Sequence, residues 1–320
     1  MSVERVIALS GGVGGAKLVL GLSHALPAER LLVVTNTGDD FDHFGLRICP
    51  DTDTVIYTLS DLADREHGWG RTDESWNFMD AVRELGGADW FNLGDRDLAL
   101  HVLRTDRLKS GESLSGVTNH IAGVLGIRVS IVPMCDQPVA TVVETADGPL
   151  EFQHYFVRER CAPQVTGFAF EGIEKARPNP ALISALEDQP AVIVIAPSNP
   201  FVSVEPILAV PGMRTALRDC GAPIVAVSPI VGGQALKGPA AKMMAELGVP
   251  ASAVEIARHY RGFIDGLIID EKDAHHMREI TDIGVPVEVA QTVMSDLNDR
   301  VELAGRTVDF AARLRGGIKR

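Results

Sequence analysis

The sequence predicts an α/β protein: a Rossmann-like, mostly parallel sheet with helices on both faces, carrying a helical insertion and a small β-hairpin extension. Three observations lead there. Apolar runs of strand length recur without polar alternation, the pattern of strands buried on both faces. They alternate with segments of helical periodicity, and the first of them runs straight into a glycine-rich stretch. Residues 1–320 are expected to form one such unit, because no low-complexity linker or fixed-period repeat divides them.

The opening reads as a strand near Val6 to Ser10, a glycine loop Gly11 to Gly15, a helix from about Ala16 to Leu26 and a strand Leu31 to Asn36, which together make one βαβ unit. From residue 54 to about 110 the apolar residues fall at helical spacing (Val55, Leu59, Leu62, then Phe78, Val82, Leu85, then Leu98, Val102), which predicts a helical insertion whose first helix spans Thr54 to Leu62. Over 137–160 alternation returns around the turn Ala146-Asp147-Gly148, predicting a β-hairpin. From Ala191 the strand-helix rhythm resumes with AVIVIAPS, APIVAVSPI, GLIID and VPVEVAQ, and a helix is expected from Glu271 to Ile283. The final LRGGIKR reads as an exposed tail.

Composition narrows the class of function. With 46% hydrophobic and 23% charged residues in 320, the chain can bury a sizeable core, which excludes intrinsic disorder. Thirty Lys and Arg against 43 Asp and Glu leave a net charge of −13, so nucleic acid is not an expected partner. A phosphate-bearing ligand in so acidic a protein would call for a divalent cation held by carboxylates. No run of about 20 apolar residues spans a membrane and the N-terminus lacks a cleavable signal's organisation, so a cytoplasmic protein is expected. Cys49, Cys135, Cys161 and Cys220 are scattered without a C-x-x-C pair and read as reduced thiols.

Four loops carry the candidate chemistry. SGGVGGAK, Ser10 to Lys17, lies where the first strand meets the first helix, where backbone amides and the Lys17 cation could cradle a phosphate. It is neither a Walker A loop nor G-x-G-x-x-G, and a tight strand-helix turn needs glycines for steric reasons alone. The second loop gathers Asp39, Asp40, Asp42, Asp51 and Asp53 beyond a strand end, where α/β sheets place ligands. Like charges so close repel unless a cation joins them, so Asp39 and Asp40 are the metal and catalytic candidates from charge density; one acid, Asp51 or Asp53, could instead cap the following helix. The third loop puts Gly94, Asp95, Arg96 and Asp97 at a helix start, and a first-turn cation suggests a contact with an anion or an Asp partner. The fourth offers Ser198 and Asn199 after a buried strand, and Ser228 to Gly233 repeats the arrangement one strand later. No nucleophile motif occurs, and His275-His276 reads as a solvated face. Phosphate cradles beside an acidic cluster suit phosphoryl transfer, where the protein positions reactants and neutralises charge.

The set SGGVGGAKL, TNTGDDF, CPDTDTVIYTLSDL, LGDRDLALH, APSNPFVSVEPIL, VSPIVGG and GLIIDEKD, in this order, resembles the 2-phospho-L-lactate transferase (CofD) family over nearly the whole chain. The resemblance implies an enzyme of coenzyme F-420 biosynthesis. Such an enzyme moves a phospholactyl or phosphoenolpyruvyl group from a GDP-linked donor to the terminal ribityl hydroxyl of the deazaflavin Fo, releases GMP and requires Mg²⁺. It places the family's Fo-contacting Asp on Asp53 and a second Fo-contacting position, basic in archaeal members, on Asn92. The GDP-donor cleft falls on Gly11, Gly12, Gly14, Gly15 and Lys17, with Ser198 and Asn199 further along, and Asp95 and Arg96 join it as donor-binding candidates. A homodimer is the expected assembly. Two rivals are a CofD-like nucleotide-binding regulator, disfavoured by the PDTDT and LGDRD segments, and a dinucleotide dehydrogenase, disfavoured by the missing third glycine.

Overall fold

Five residues with no exposed side chain, Val6–Ser10, form β1, an interior strand of the main sheet. The computed structural model describes residues 5–64, 70–236 and 238–317; residues 65–69 of the expected insertion and the last three of the tail lie outside them. After β1 come α1 (Gly12–Ala25), β2 (Leu31–Thr35), β3 (Phe41–His43), β4 (Leu46–Ile48), α2 (Pro50–Leu59), α3 (Asn77–Glu84), α4 (Asp95–Lys109), α5 (Leu114–Val124) and β5 (Ser130–Pro133). The middle of the chain adds β6 (Ala140–Thr145), β7 (Gly148–Glu151), β8 (Val165–Glu171), α6 (Pro180–Glu187), β9 (Val192–Ile195), α7 (Glu205–Ala209), α8 (Met213–Asp219) and β10 (Ile224–Val227). The remainder is β11 (Ile230–Val231), β12 (Gln234–Ala235), α9 (Ala240–Glu246), α10 (Ala253–His259), β13 (Gly266–Asp270), α11 (Met277–Asp282), β14 (Val287–Ala290) and α12 (Leu297–Gly317).

Seven strands build the main sheet in the order β14-β13-β10-β9-β1-β2-β5, and every pairing is parallel. Numbered by their own succession this is 3-2-1-4-5-6-7, the doubly wound order, whose direction of growth reverses between β1 and β9. Alternate residues supply the two cores, as a period of two requires. Ile7, Leu9, Leu32 and Val34 pack under α6, α7, α8, α10 and α11, whereas Val6, Ala8, Leu31 and Val33 pack under α1, α2, α5 and α12. The predicted fold class is therefore the observed one.

Several boundaries differ, each for a local reason. α1 begins at Gly12, not at Ala16, so the expected glycine loop shrinks to Gly11 alone and the other glycines become the helix's first turn. α2 begins four residues before Thr54 because Pro50 takes the first helical position, where its missing N–H costs nothing. The expected hairpin turns at Ala146-Asp147, with Thr145 paired to Gly148, but β8 pairs with β6 and makes it a three-stranded antiparallel sheet. Glu271 to His276 is a 3-10 segment before the α-helical turns of α11. Leu314 to Gly317 of the expected tail complete α12.

Close approach fixes α1 in place. A Cβ on Gly21 would stand 2.0 Å from the Arg300 carbonyl oxygen of α12, so the two helices touch backbone to backbone. Gly21→Ala should gain up to about 1 kcal/mol of helix propensity yet lose about 2 kcal/mol net, because overpacking a rigid carbonyl costs more. Gly305→Ala, on α12 where a Cβ meets nothing within 4 Å, should stabilise by roughly 0.5–1 kcal/mol. Urea unfolding of both variants checks the pair, and equal shifts would reject the contact argument.

Candidate active site

A cavity of about 720 Å³ opens at the carboxyl ends of β1 and β9, where the strand order reverses. One wall is the α1 N-terminus and the loop after β9. Gly14 admits the Pro197 carbonyl oxygen to 2.3 Å of its absent Cβ, and Gly15 admits Ser198 Oγ to 2.8 Å. Ser198 Oγ donates to the Gly11 carbonyl at 2.7 Å and accepts from the Gly11 amide at 3.2 Å, which ties the two loops together. Asn199 caps the turn that follows, its Oδ1 accepting from Phe201 N at 3.0 Å. Lys17 lines the cavity and donates to the Met294 carbonyl at 3.0 Å. Close packing and cavity lining thus coincide in Gly11 and Gly14, Gly12 lines the cavity with a φ of +64° that favours glycine, and Gly15 serves the packing alone.

The acidic loop divides. Asp39 lines the cavity and Asp40 does not. Burial, and then the Asp51 charge, push the Asp39 carboxyl well above the usual carboxylate range, and its Oδ1 has no partner. Asp51 reaches the α1 N-terminus instead of capping its own helix: Gly12 N donates to Oδ1 at 2.6 Å and Asn36 Nδ2 to Oδ2 at 2.9 Å. Burial still pushes Asp51 up to about 6. Asp40 lies behind, against Cys49 and near Arg47 and Arg104, and burial raises it to about 8. Among the described lining residues, Asp39, Asp51 and Asp97 accompany the Lys17 ammonium, with Asp53 already paired to Arg104, so added positive charge would favour a diphosphate bound here.

Asp53 is neither a cap nor a loose ligand. It sits inside α2, its amide bonded to the Cys49 carbonyl at 2.9 Å, and both its oxygens are taken by the buried guanidinium of Arg104, Nη1 to Oδ2 at 3.0 Å and Nη2 to Oδ1. Arg104 Nη1 also approaches His101 Nδ1 at 3.2 Å, and His101 Nε2 lies 3.2 Å from Asp97 Oδ2. Tyr57 donates its hydroxyl to Asp97 Oδ1. Burial opposes the charge on Asp97, but His101 and Tyr57 overcome it and hold the carboxyl below its ordinary value. Asp97, His101 and Arg104 follow at intervals of four and three along α4, so one helix face carries the whole set. Beside it, aromatic side chains from the inserted elements enclose the cavity: Phe91, packed edge-on to Phe41 at 4.8 Å, and Phe152 stacked on Phe156 at 5.5 Å.

The LGDRD loop behaves otherwise than expected. Asn92 lines the cavity, its Oδ1 accepting from Arg83 Nη2 at 3.0 Å, but Asp95 and Arg96 do not line it. Asp95 accepts from Ser75 Oγ, Asn77 and the Phe78 amide, and those bonds, Ser75's first, hold it down at about 2. Arg96 is tolerated in a first turn because Glu74 supplies the anion: its carboxylate accepts from Arg96 N at 2.7 Å and Asp97 N at 2.8 Å. Ser228 joins the lining after β10. From sequence Asp97 stands at the helix start with no role of its own, and Tyr57, His101 and Arg104 are not expected; the D-x-x-x-H-x-x-R spacing of Asp97, His101 and Arg104 carries that signal, whereas no local pattern marks Tyr57.

With this geometry in view, comparison decides the lineage. The family model for 2-phospho-L-lactate transferase CofD matches residues 6–309. The chain belongs to the CofD family. It is 40% identical to a phosphoenolpyruvate transferase of Streptomyces griseus over 97% of this chain and 99% of that one. It is 38% identical to a 2-phospho-L-lactate transferase of Methanosarcina mazei over 93% and 98%. The crystal structure of a UPF0052 family protein from Bacillus halodurans superposes with a TM-score of 0.63 at 14% identity, covering 96% of this chain and 99% of that one, and so shares the fold. No helix among the described residues is long and apolar enough to cross a membrane.

Membership in CofD makes the Asp53–Arg104 pair a test of structure against ligand binding. Asp53→Asn keeps an oxygen for Arg104 but removes the charge, leaving a buried guanidinium uncompensated, and should cost about 3 kcal/mol or more of stability. A denaturant midpoint equal to the parent's would show that the pair contributes nothing to the fold.

Proposed function

We propose that this CofD member transfers a phospholactyl or phosphoenolpyruvyl group from its GDP-linked donor to the terminal ribityl hydroxyl of Fo, releasing GMP, with Mg²⁺ as cofactor. The observation that carries the reading is a single cavity whose glycine-lined wall meets unneutralised buried acids on one side and an aromatic, hydrogen-bonding wall on the other. The first suits a pyrophosphate and its cation, the second a flat ring bearing a polyol.

The donor set fits a cation in part. No group of three or more His, Cys, Asp or Glu gathers as a metal cage among the described residues, but Asp39 has an orphaned buried oxygen and Asp51 stands beside it. Mg²⁺ is commonly held by one or two carboxylates with substrate phosphates and water completing the shell, so Asp39 and Asp51 are the residues that would hold it. When bound, Mg²⁺ supplies positive charge for the transferred phosphoryl group and for departing GMP. The α1 amides beyond Gly12, whose own is taken by Asp51, together with Lys17 would orient the diphosphate. The aromatic wall excludes water and holds the ring, so that the acceptor oxygen meets the phosphorus in line and the bond to GMP breaks.

Incubation with Fo, Mg²⁺ and each GDP-linked donor in turn, followed by mass spectrometry, tests the reading and chooses between lactyl and enolpyruvyl donors. Absence of any deazaflavin product would defeat it. Turnover should stop in excess EDTA and return with Mg²⁺. Asp39→Asn should slow it by about 100-fold or more, the scale of losing one preorganised electrostatic contact. Asp40→Asn should leave turnover within about threefold, because Asp40 is off the cavity; a loss matching that of Asp39→Asn would return Asp40 to the metal site.

A further inference from the structure

The residues along α4 suggest which carboxylate meets the acceptor. A guanidinium has donors only, so where Arg104 Nη1 faces His101 Nδ1 at 3.2 Å the ring nitrogen must accept, and the imidazole proton is placed on Nε2. His101 Nε2 lies 3.2 Å from Asp97 Oδ2, a close approach that falls short of a hydrogen bond. Arg104 on one side of the ring leaves the Nε2 edge turned to Asp97. The two acids then differ in what they have left to offer. Both line the cavity, but Asp53 is 6% exposed with each oxygen bonded to the Arg104 cation, whereas the Asp97 side chain is 15% exposed, with the Tyr57 hydroxyl on one oxygen and His101 near the other.

We propose that Asp97 is a specificity-determining contact for the acceptor, accepting hydrogen bonds from its hydroxyl or ring N–H donors, with His101 and Tyr57 as positioning residues and Arg104 holding His101. The inference rests on the reading that this cavity takes the acceptor. Arg104 offsets the Asp53 charge at once, so the negative charge that faces the ligand here is that of Asp97. The group seated against it is uncharged and rich in donors; an anionic group at this position is repelled.

The test uses the full chain with Fo followed by fluorescence titration, GDP by calorimetry, and steady-state kinetics. Asp97→Asn should weaken Fo binding about tenfold or more, as a charge-assisted bond becomes a neutral one, raise KM for Fo by a similar factor, and leave kcat and GDP affinity within about threefold. His101→Gln offers an oxygen to Arg104 and an amide to Asp97, so its Fo affinity should stay within about threefold of the parent's. His101→Leu offers neither and should follow Asp97→Asn. If the leucine variant fails to fold, Asp97→Asn and His101→Gln still decide the matter. Unaltered Fo affinity in Asp97→Asn overturns the inference while leaving the transferase reading intact. Loss of GDP together with Fo in that variant overturns it too, since Asp97 would then be holding the cavity as a whole. A parent protein that binds GDP but no Fo removes the functional reading and this inference with it.

Discussion

Everything in the cavity depends on how closely α1 is held. Its glycines meet the Pro197 carbonyl, the Ser10 and Ser198 hydroxyls and the Arg300 carbonyl at distances no side chain would permit. One helix is thereby clamped between the ends of β1 and β9 on one side and α12 on the other, and its N-terminus can point only into the switch-point cleft. The glycines serve shape first, and the phosphate seat is a by-product of that shape. Asp51 shows the electrostatic result: a carboxylate from α2 already occupies the Gly12 amide, so the helix end that attracts anions is furnished with one.

The parallel sheet was readable because its strands are continuous apolar runs, and burial on both faces leaves no polar alternation to confuse them. What escaped reading was short, or depended on partners far along the chain. β3 and β4 have three residues each, too few for a period, and β5 is an edge strand ending at Pro133. The start of α2 was misplaced because Asp51 and Asp53 look like caps from sequence, whereas their oxygens go to the α1 N-terminus and to Arg104. No local rule states that Glu74 will cap α4.

The site was legible in outline and not in its division of labour. Charge density picked out Asp39 and Asp40 together, yet adjacent residues after a strand diverge, and one faces the cleft while the other faces Cys49 and Arg104. Family resemblance named Asp53 and Asn92, and both line the cavity, but resemblance carries no information on which oxygens are already spent. Arg104 is the residue that alters the meaning of its neighbours. A fully buried guanidinium turns Asp53 from an offered carboxylate into half of an internal pair, and it lies against His101 Nδ1 as it does so.

The crossed caps of the insertion have a dynamic consequence. Glu74 binds the amides of Arg96 and Asp97, while Asp95 binds the side chain of Ser75 and the amides of Asn77 and Phe78. Two helix starts some twenty residues apart are thus laced to each other, and neither can fray without unlacing the other. In native-state hydrogen exchange the four amides are therefore expected to open as one unit, a small foldon whose free energy they share. Because the Asp97 amide is one of the four, loosening of α3 would reach the cavity wall, whose rigidity then depends on a helix that does not line it.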